Sequence, residues 1–124
     1  MIIASWNIRG LTAPAKQMRV RDFMVQKKVD IMGILECKIK QESLDFLMRS
    51  SFAGWSQCNN FGEHPASRIL ILWRPGPVEI EVVNCLSQLI HLRITCKVTS
   101  RVFLVTYVYG LHYIVTRRNS CGIS

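Results

Sequence analysis

Val29-Asp30-Ile31-Met32-Gly33-Ile34-Leu35-Glu36-Cys37-Lys38 is the stretch on which the fold of this chain turns. From Val29 to Leu35 it is nearly continuous apolar sequence, rich in β-branched and large residues, the pattern of a strand buried on both faces. The run stops on a lone acid, Glu36. Upstream, Met1 to Ile8 reads as a short apolar strand ended by Gly10, and Thr12-Ala13-Pro14 opens a helix with the proline suited to its first turn. Val20, Phe23 and Met24 give that helix one apolar stripe, while Lys16, Arg19, Arg21 and Lys27 stay in water. Downstream, Glu42 to Arg49 returns to helical period through Leu44, Leu47 and Met48. Strand, helix, strand, helix is an α/β opening, and two strands joined through a helix pair in parallel.

The period changes after Ser51. Trp55 to Cys58 reads as a short strand, Asn59 to Ser67 as a loop, and Arg68 to Trp73 as a strand stopped by Pro75-Gly76-Pro77. Val78 to Val83 alternates, with Glu79 and Glu81 opposite Val78, Ile80 and Val82. Gln88 to Thr95 places Ile90, Leu92 and Ile94 on one face, with Leu89, His91, Arg93 and Thr95 on the other. Arg101 to Tyr109 is apolar on both faces and belongs inside a layered structure. These spacings predict an antiparallel meander.

The chain has 124 residues, enough for one domain or a piece of one, and 49% hydrophobic residues, enough to fill a core. Lys and Arg outnumber Asp and Glu by 16 to 8, a formal charge of +8 that favours polyanionic partners, nucleic acid first. The same charge also fits an inert basic surface. Cys37, Cys58, Cys85, Cys96 and Cys121 are an odd, dispersed set without C-x-x-C spacing. Such a set argues against a disulfide framework and a zinc site, and for reduced thiols in an intracellular protein of the nucleus or cytoplasm. No stretch has the length and apolarity of a membrane span, and Met1-Ile2-Ile3-Ala4 lacks the basic start of a signal peptide.

A strand ending in Asn7 and another ending in Glu36 can set an amide and a carboxylate side by side at one sheet edge. Two hard oxygen donors there suit a cation such as Mg²⁺ beside a phosphate. Each residue also has an ordinary reading. A strand-terminal asparagine forms turns, and Tyr109 can be a core ring with a wet hydroxyl, while Glu36 at the end of a buried strand is stranger, because an unpaired buried carboxylate is costly. Asp30 reads as structural, and His91, beside Arg93 on a strand face, reads as a packing or surface residue.

Five segments in order resemble the endonuclease/exonuclease/phosphatase superfamily, in particular the endonuclease domain of plant non-LTR (LINE-type) retrotransposon polyproteins. They are Ser-Trp-Asn-Ile-Arg-Gly-Leu (5–11), Val-Asp-Ile-Met-Gly-Ile-Leu-Glu-Cys-Lys (29–38), Arg-Ile-Leu-Ile-Leu-Trp (68–73), Gln-Leu-Ile-His (88–91) and Val-Thr-Tyr-Val-Tyr-Gly (105–110). The resemblance covers residues 1–118 and leaves 119–124 as an unrelated tail. It implies that Asn7 orients a catalytic carboxylate or the scissile phosphate, that Glu36 ligates Mg²⁺ or Mn²⁺, and that Tyr109 hydrogen-bonds the phosphate. Arg9 stands where some relatives have an acid, and an arginine there serves as a phosphate contact. The Asp-x-Asn and Asp-His pairs that complete such a site lie downstream of the tyrosine strand. Here no Asp follows Asp45, no Glu follows Glu81, and His112 has no nearby acid.

The resemblance therefore implies the N-terminal half of a four-layer α/β/β/α sandwich: one mixed sheet with two helices on one face and the second sheet missing. The other face is expected to lie open and apolar, a surface for self-association. The expected function is that of a truncated, Mg²⁺-dependent endonuclease-like domain, inactive alone, that binds DNA weakly and without sequence preference. The alternatives from other classes are a small basic nucleic-acid-binding module without chemistry and a partner-binding globular protein.

Overall fold

The computed structural model describes residues 1–63, 69–109 and 113–117. Helix α1 (Pro14–Gln26) starts with its proline at the first turn and buries Val20 and Met24. Helix α2 (Leu44–Ser50), entered through a 3₁₀ turn at Gln41–Ser43, buries Leu44 and Leu47. Both lie over a sheet whose strands are β1 (Ile3–Asn7), β2 (Ile31–Leu35), β3 (Ser56–Asn59) and β4 (Ile69–Trp73), in the order β1-β2-β4-β3. The β1–β2 pair is parallel, as the intervening helix requires, and β2–β4 and β3–β4 are antiparallel.

Strand β2 is buried at every position. Met32 and Ile34 join Leu70 and Leu72 of β4 under the helices, with Leu11, Phe52 and Phe61 closing that core. Ile31 and Leu35 join Ile69 and Ile71 on the opposite face. Two apolar faces on one strand demand two covers, and the chain supplies both.

The second cover corrects the expectation of a missing sheet. Strands β5 (Val78–Cys85), β6 (Leu89–Cys96), β7 (Val102–Val108) and β8 (Tyr113–Arg117) form a separate antiparallel sheet in sequence order. Val78, Ile90, Leu92, Ile94, Val105 and Tyr107 of this sheet pack on Ile31, Leu35, Ile69 and Ile71 of the first. The physical reason is Pro75-Gly76-Pro77. Two residues without an N–H cannot continue a ladder, so the chain leaves the first sheet there and the meander folds back across its face. The face expected to be open is closed, with Ile31, Ile69 and Ile71 all at 0% exposure. The described residues thus build three layers, helices, mixed sheet and antiparallel sheet, which is a partial α/β sandwich.

Two side chains, Tyr107 and Asn60, tie the sheets to each other. Gly33 of β2 lies under the Tyr107 ring, and a Cβ placed there would come within 2.2 Å of a ring carbon. The Tyr107 hydroxyl crosses to β1 and donates to the Ala4 carbonyl at 3.0 Å. Asn60, buried directly after β3, uses its amide in both directions. Its Nδ2 donates to the carbonyls of Leu86 and Ser87 in the β5–β6 turn, and its Oδ1 accepts from the Ile69 N–H. Val82, expected on the inner face, is exposed. It lies on an edge strand beside a register shift between Val82 and Asn84, and such a bulge re-aims side chains. No helix among the described residues is long and apolar enough to cross a membrane.

Candidate active site

Strands β1 and β2 run in parallel and end together, with Asn7 opposite Leu35. Strand alternation places Asn7 with Ile3 and Ser5 on the side of β1 facing the second sheet. The same alternation would send Glu36 to the helix side with Met32 and Ile34. The backbone prevents this. Glu36 has φ +57°, a left-handed conformation uncommon for a residue with a Cβ. That bend turns the carboxylate across the sheet end, where its Oε1 accepts a hydrogen bond from the Tyr109 hydroxyl at 3.2 Å.

Tyr109 reaches this point from the second sheet. It follows β7 in the same alternation as Phe103, Val105 and Tyr107, all packed toward the first sheet. Its N–H donates to the Gln88 carbonyl at 2.8 Å, and the adjacent β5–β6 turn is the one tied down by Asn60. Glu36 and Tyr109, 73 residues apart in sequence, meet because both sheets end at the same place.

The loops around this pair are unusually constrained. Arg9 and Lys38 also have positive φ, at +53° and +54°, beside Gly10 at +106°. Main-chain hydrogen bonds lace the two loops together, from Gly10 N–H to the Glu36 carbonyl and from Leu11 N–H to the Cys37 carbonyl, both at 2.7 Å. Left-handed residues cluster where surrounding structure over-determines the backbone, and functional sites are the usual setting. Arg9, Lys38 and Lys40 are exposed on these loops, so the rim around one carboxylate is basic. Anions are drawn to such a rim.

The structure therefore brings Glu36 and Tyr109 into direct contact and sets Asn7 and Arg9 at the same end without joining them to that pair. Asp30 is structural, its Oδ2 accepting the Ile2 N–H at 2.9 Å. His91 lies on the outer side of the second sheet, its Nδ1 2.7 Å from Thr106 Oγ1, away from Glu36. Arg68, Gly110, His112, Cys121 and the tail 119–124 lie outside the described residues. Among the described residues no group of three His, Cys, Asp or Glu side chains is placed to hold a metal ion. Sequence reasoning passed over Gly33 and Asn60. A glycine inside a buried strand marks the close approach of another group and was a readable signal. Asn60 gave none, because its three partners lie on other elements.

No protein-family model matches the chain, and no curated protein is similar to it in sequence. Solved structures do share the fold. One is a mannosyl-6-phosphatase of Bacteroides thetaiotaomicron, superposing with a TM-score of 0.58 at 14% identity over 82% of this chain. The match covers 48% of that protein, so this chain spans about half its length. At that identity the likeness is one of fold.

Proposed function

We propose that this chain carries part of a phosphoester-hydrolase site of the endonuclease/exonuclease/phosphatase kind, of retrotransposon endonuclease origin, and that these 124 residues do not turn over alone. The observation that carries the reading is the Tyr109–Glu36 contact, which sets one carboxylate and one phenol hydroxyl at a basic rim.

The donor set is oxygen only, one carboxylate with the Asn7 amide nearby. That fits Mg²⁺ or Mn²⁺, which keeps most of its waters and binds through one or two carboxylates together with a phosphate. It does not make a closed metal centre. Glu36 would hold the ion, whose chemistry is to polarise a phosphoryl oxygen. Tyr109 O–H, donated to Glu36 in the present structure, is the donor that an incoming phosphate oxygen would take. Asn7 offers an amide N–H to the same group, and Arg9 contacts the neighbouring phosphate as a charged donor. No Asp after Asp45 and no Glu after Glu81 remains in the sequence to orient a histidine or hold a nucleophilic water. Loss of a general base alone costs about 10²–10⁴-fold in rate. The partner is DNA, held weakly through phosphates, and the reading places the protein in the nucleus or cytoplasm.

The test is paramagnetic line broadening. Mn²⁺ added with a mononucleotide should broaden the amide signals of Asn7, Arg9, Glu36 and Tyr109 before others, and Glu36→Gln should remove the effect. Broadening spread evenly over the surface, or unchanged by Glu36→Gln, overturns the proposal.

A further inference from the structure

The other end of the first sheet carries a second basic site. Ile31, the first residue of β2, pairs with Trp73, the last of β4, and Arg74 follows directly. This point lies roughly 16 Å from Glu36 along β2, at about 3.3 Å per residue. There an open cleft of about 500 Å³ is lined by Arg21 and Val25 of α1, Gly54, Trp55, Arg74 and the turn Pro75–Pro77. Among the described residues no Asp or Glu lines it.

The two guanidinium groups are unusually available. The Arg74 group lies over the Trp55 ring, 4.9 Å from its centroid, a stacking that holds a cation without consuming its N–H donors. Arg74 Nε is buried and has no hydrogen-bond partner among the described residues. Arg21 is exposed on α1, and neither arginine enters an ion pair among the described residues. Asp30, whose carbonyl accepts the Arg74 N–H, uses its Oδ2 on Ile2. A third cation stands at the turn, where Lys97 Nζ donates to the Pro75 carbonyl at 3.0 Å and its main-chain N–H to Pro77. Both guanidinium side chains line the same open cleft, and an anion with several oxygens can accept from the N–H donors that each leaves outside an ion pair.

We propose that the Arg21–Trp55–Arg74 cleft binds a phosphate group, independently of the Glu36–Tyr109 end. Arg74 is the pre-stacked anchor and Arg21 the second arm, and planar guanidiniums suit the oxygens of phosphate. The open shape admits either a free phosphate or one unit of a phosphodiester backbone.

The experiment is an NMR titration of the whole chain, following the Arg74 Nε–Hε and Trp55 indole signals. Inorganic phosphate and an eight-residue oligothymidylate are added separately, against sodium chloride at matched ionic strength. The expected result is a saturable shift of both signals by at least one phosphate source. A response to inorganic phosphate assigns a free phosphate, and a response to the oligonucleotide alone assigns the diester backbone. Arg21→Gln, a change on an exposed helix face, should weaken binding about three- to tenfold, as loss of one partly screened charged contact does, while leaving the amide spectrum folded. Arg74→Gln should abolish the Trp55 response. No saturable shift from either source, equal shifts from sodium chloride, or unchanged affinity in Arg21→Gln overturns the proposal. Glu36→Gln should leave the titration unaltered, which separates this site from the one at the other end.

Discussion

At the scale of single residues, burial sorts the thiols. Among the described residues, Cys37, Cys58, Cys85 and Cys96 are thiols outside any disulfide. Burial pushes the Cys37 thiol up to about 11 from an ordinary value of 9.0. It pushes Cys58 up to about 12, with neighbouring Cys85 adding to the shift. Cys96 moves the other way, because the Thr99 side chain hydrogen-bonds it and favours the thiolate. Each buried thiol keeps its proton in the folded chain at a pH where the unfolded chain has lost it. Stability from this source is therefore whole below pH 9 and falls as pH rises toward 11 for Cys37 and 12 for Cys58. At pH 8 a disulfide reagent should modify Cys96 far faster than Cys37 or Cys58, with peptide mapping as the readout. Equal rates would mean that the core around β2 is open. The same scale shows what a sequence conceals. Glu36 was legible as an acid ending an apolar run, but its left-handed backbone was not, and that bend alone carries it to the tyrosine.

Among the elements, β2 organises the molecule. Its uninterrupted apolar run announced burial on two sides, and the parallel partner and both helices followed from period and turn residues. What covers the second face was not legible, because a meander that extends a sheet and one that folds across it share the same alternation. Pro75-Gly76-Pro77 decided between them, and its weight is clear only once the sheets are separate. One close inter-sheet contact is the Tyr107 ring over Gly33, where a methyl group would lie 2.2 Å from a ring carbon. Tyr107 is fully buried and tied to the Ala4 carbonyl, so it has nowhere to move. Gly33→Ala should destabilise the chain by about 1–3 kcal/mol, the usual cost of overpacking a closed core. Urea unfolding followed by circular dichroism measures it, and a loss within experimental error would show that the sheets do not meet there.

For the whole molecule, two ends of one sandwich carry cationic groups, and the chain has a formal charge of +8. Phosphate contacts release counterions, so DNA affinity should fall linearly in log–log form with salt and show no preference among sequences. A filter-binding titration at several salt concentrations tests this, and salt-insensitive or sequence-selective binding would point to a dedicated reader. The second sheet closes on the first and thereby brings Tyr109 to Glu36. Nuclear Overhauser spectroscopy on the labelled chain tests that closure most directly. Cross-peaks are expected from the Tyr107 ring protons to the Gly33 α-protons and from the Tyr109 ring to the Glu36 side chain. Absence of both in a chain whose strands are otherwise formed would contradict that closure and leave the first sheet open on its apolar face.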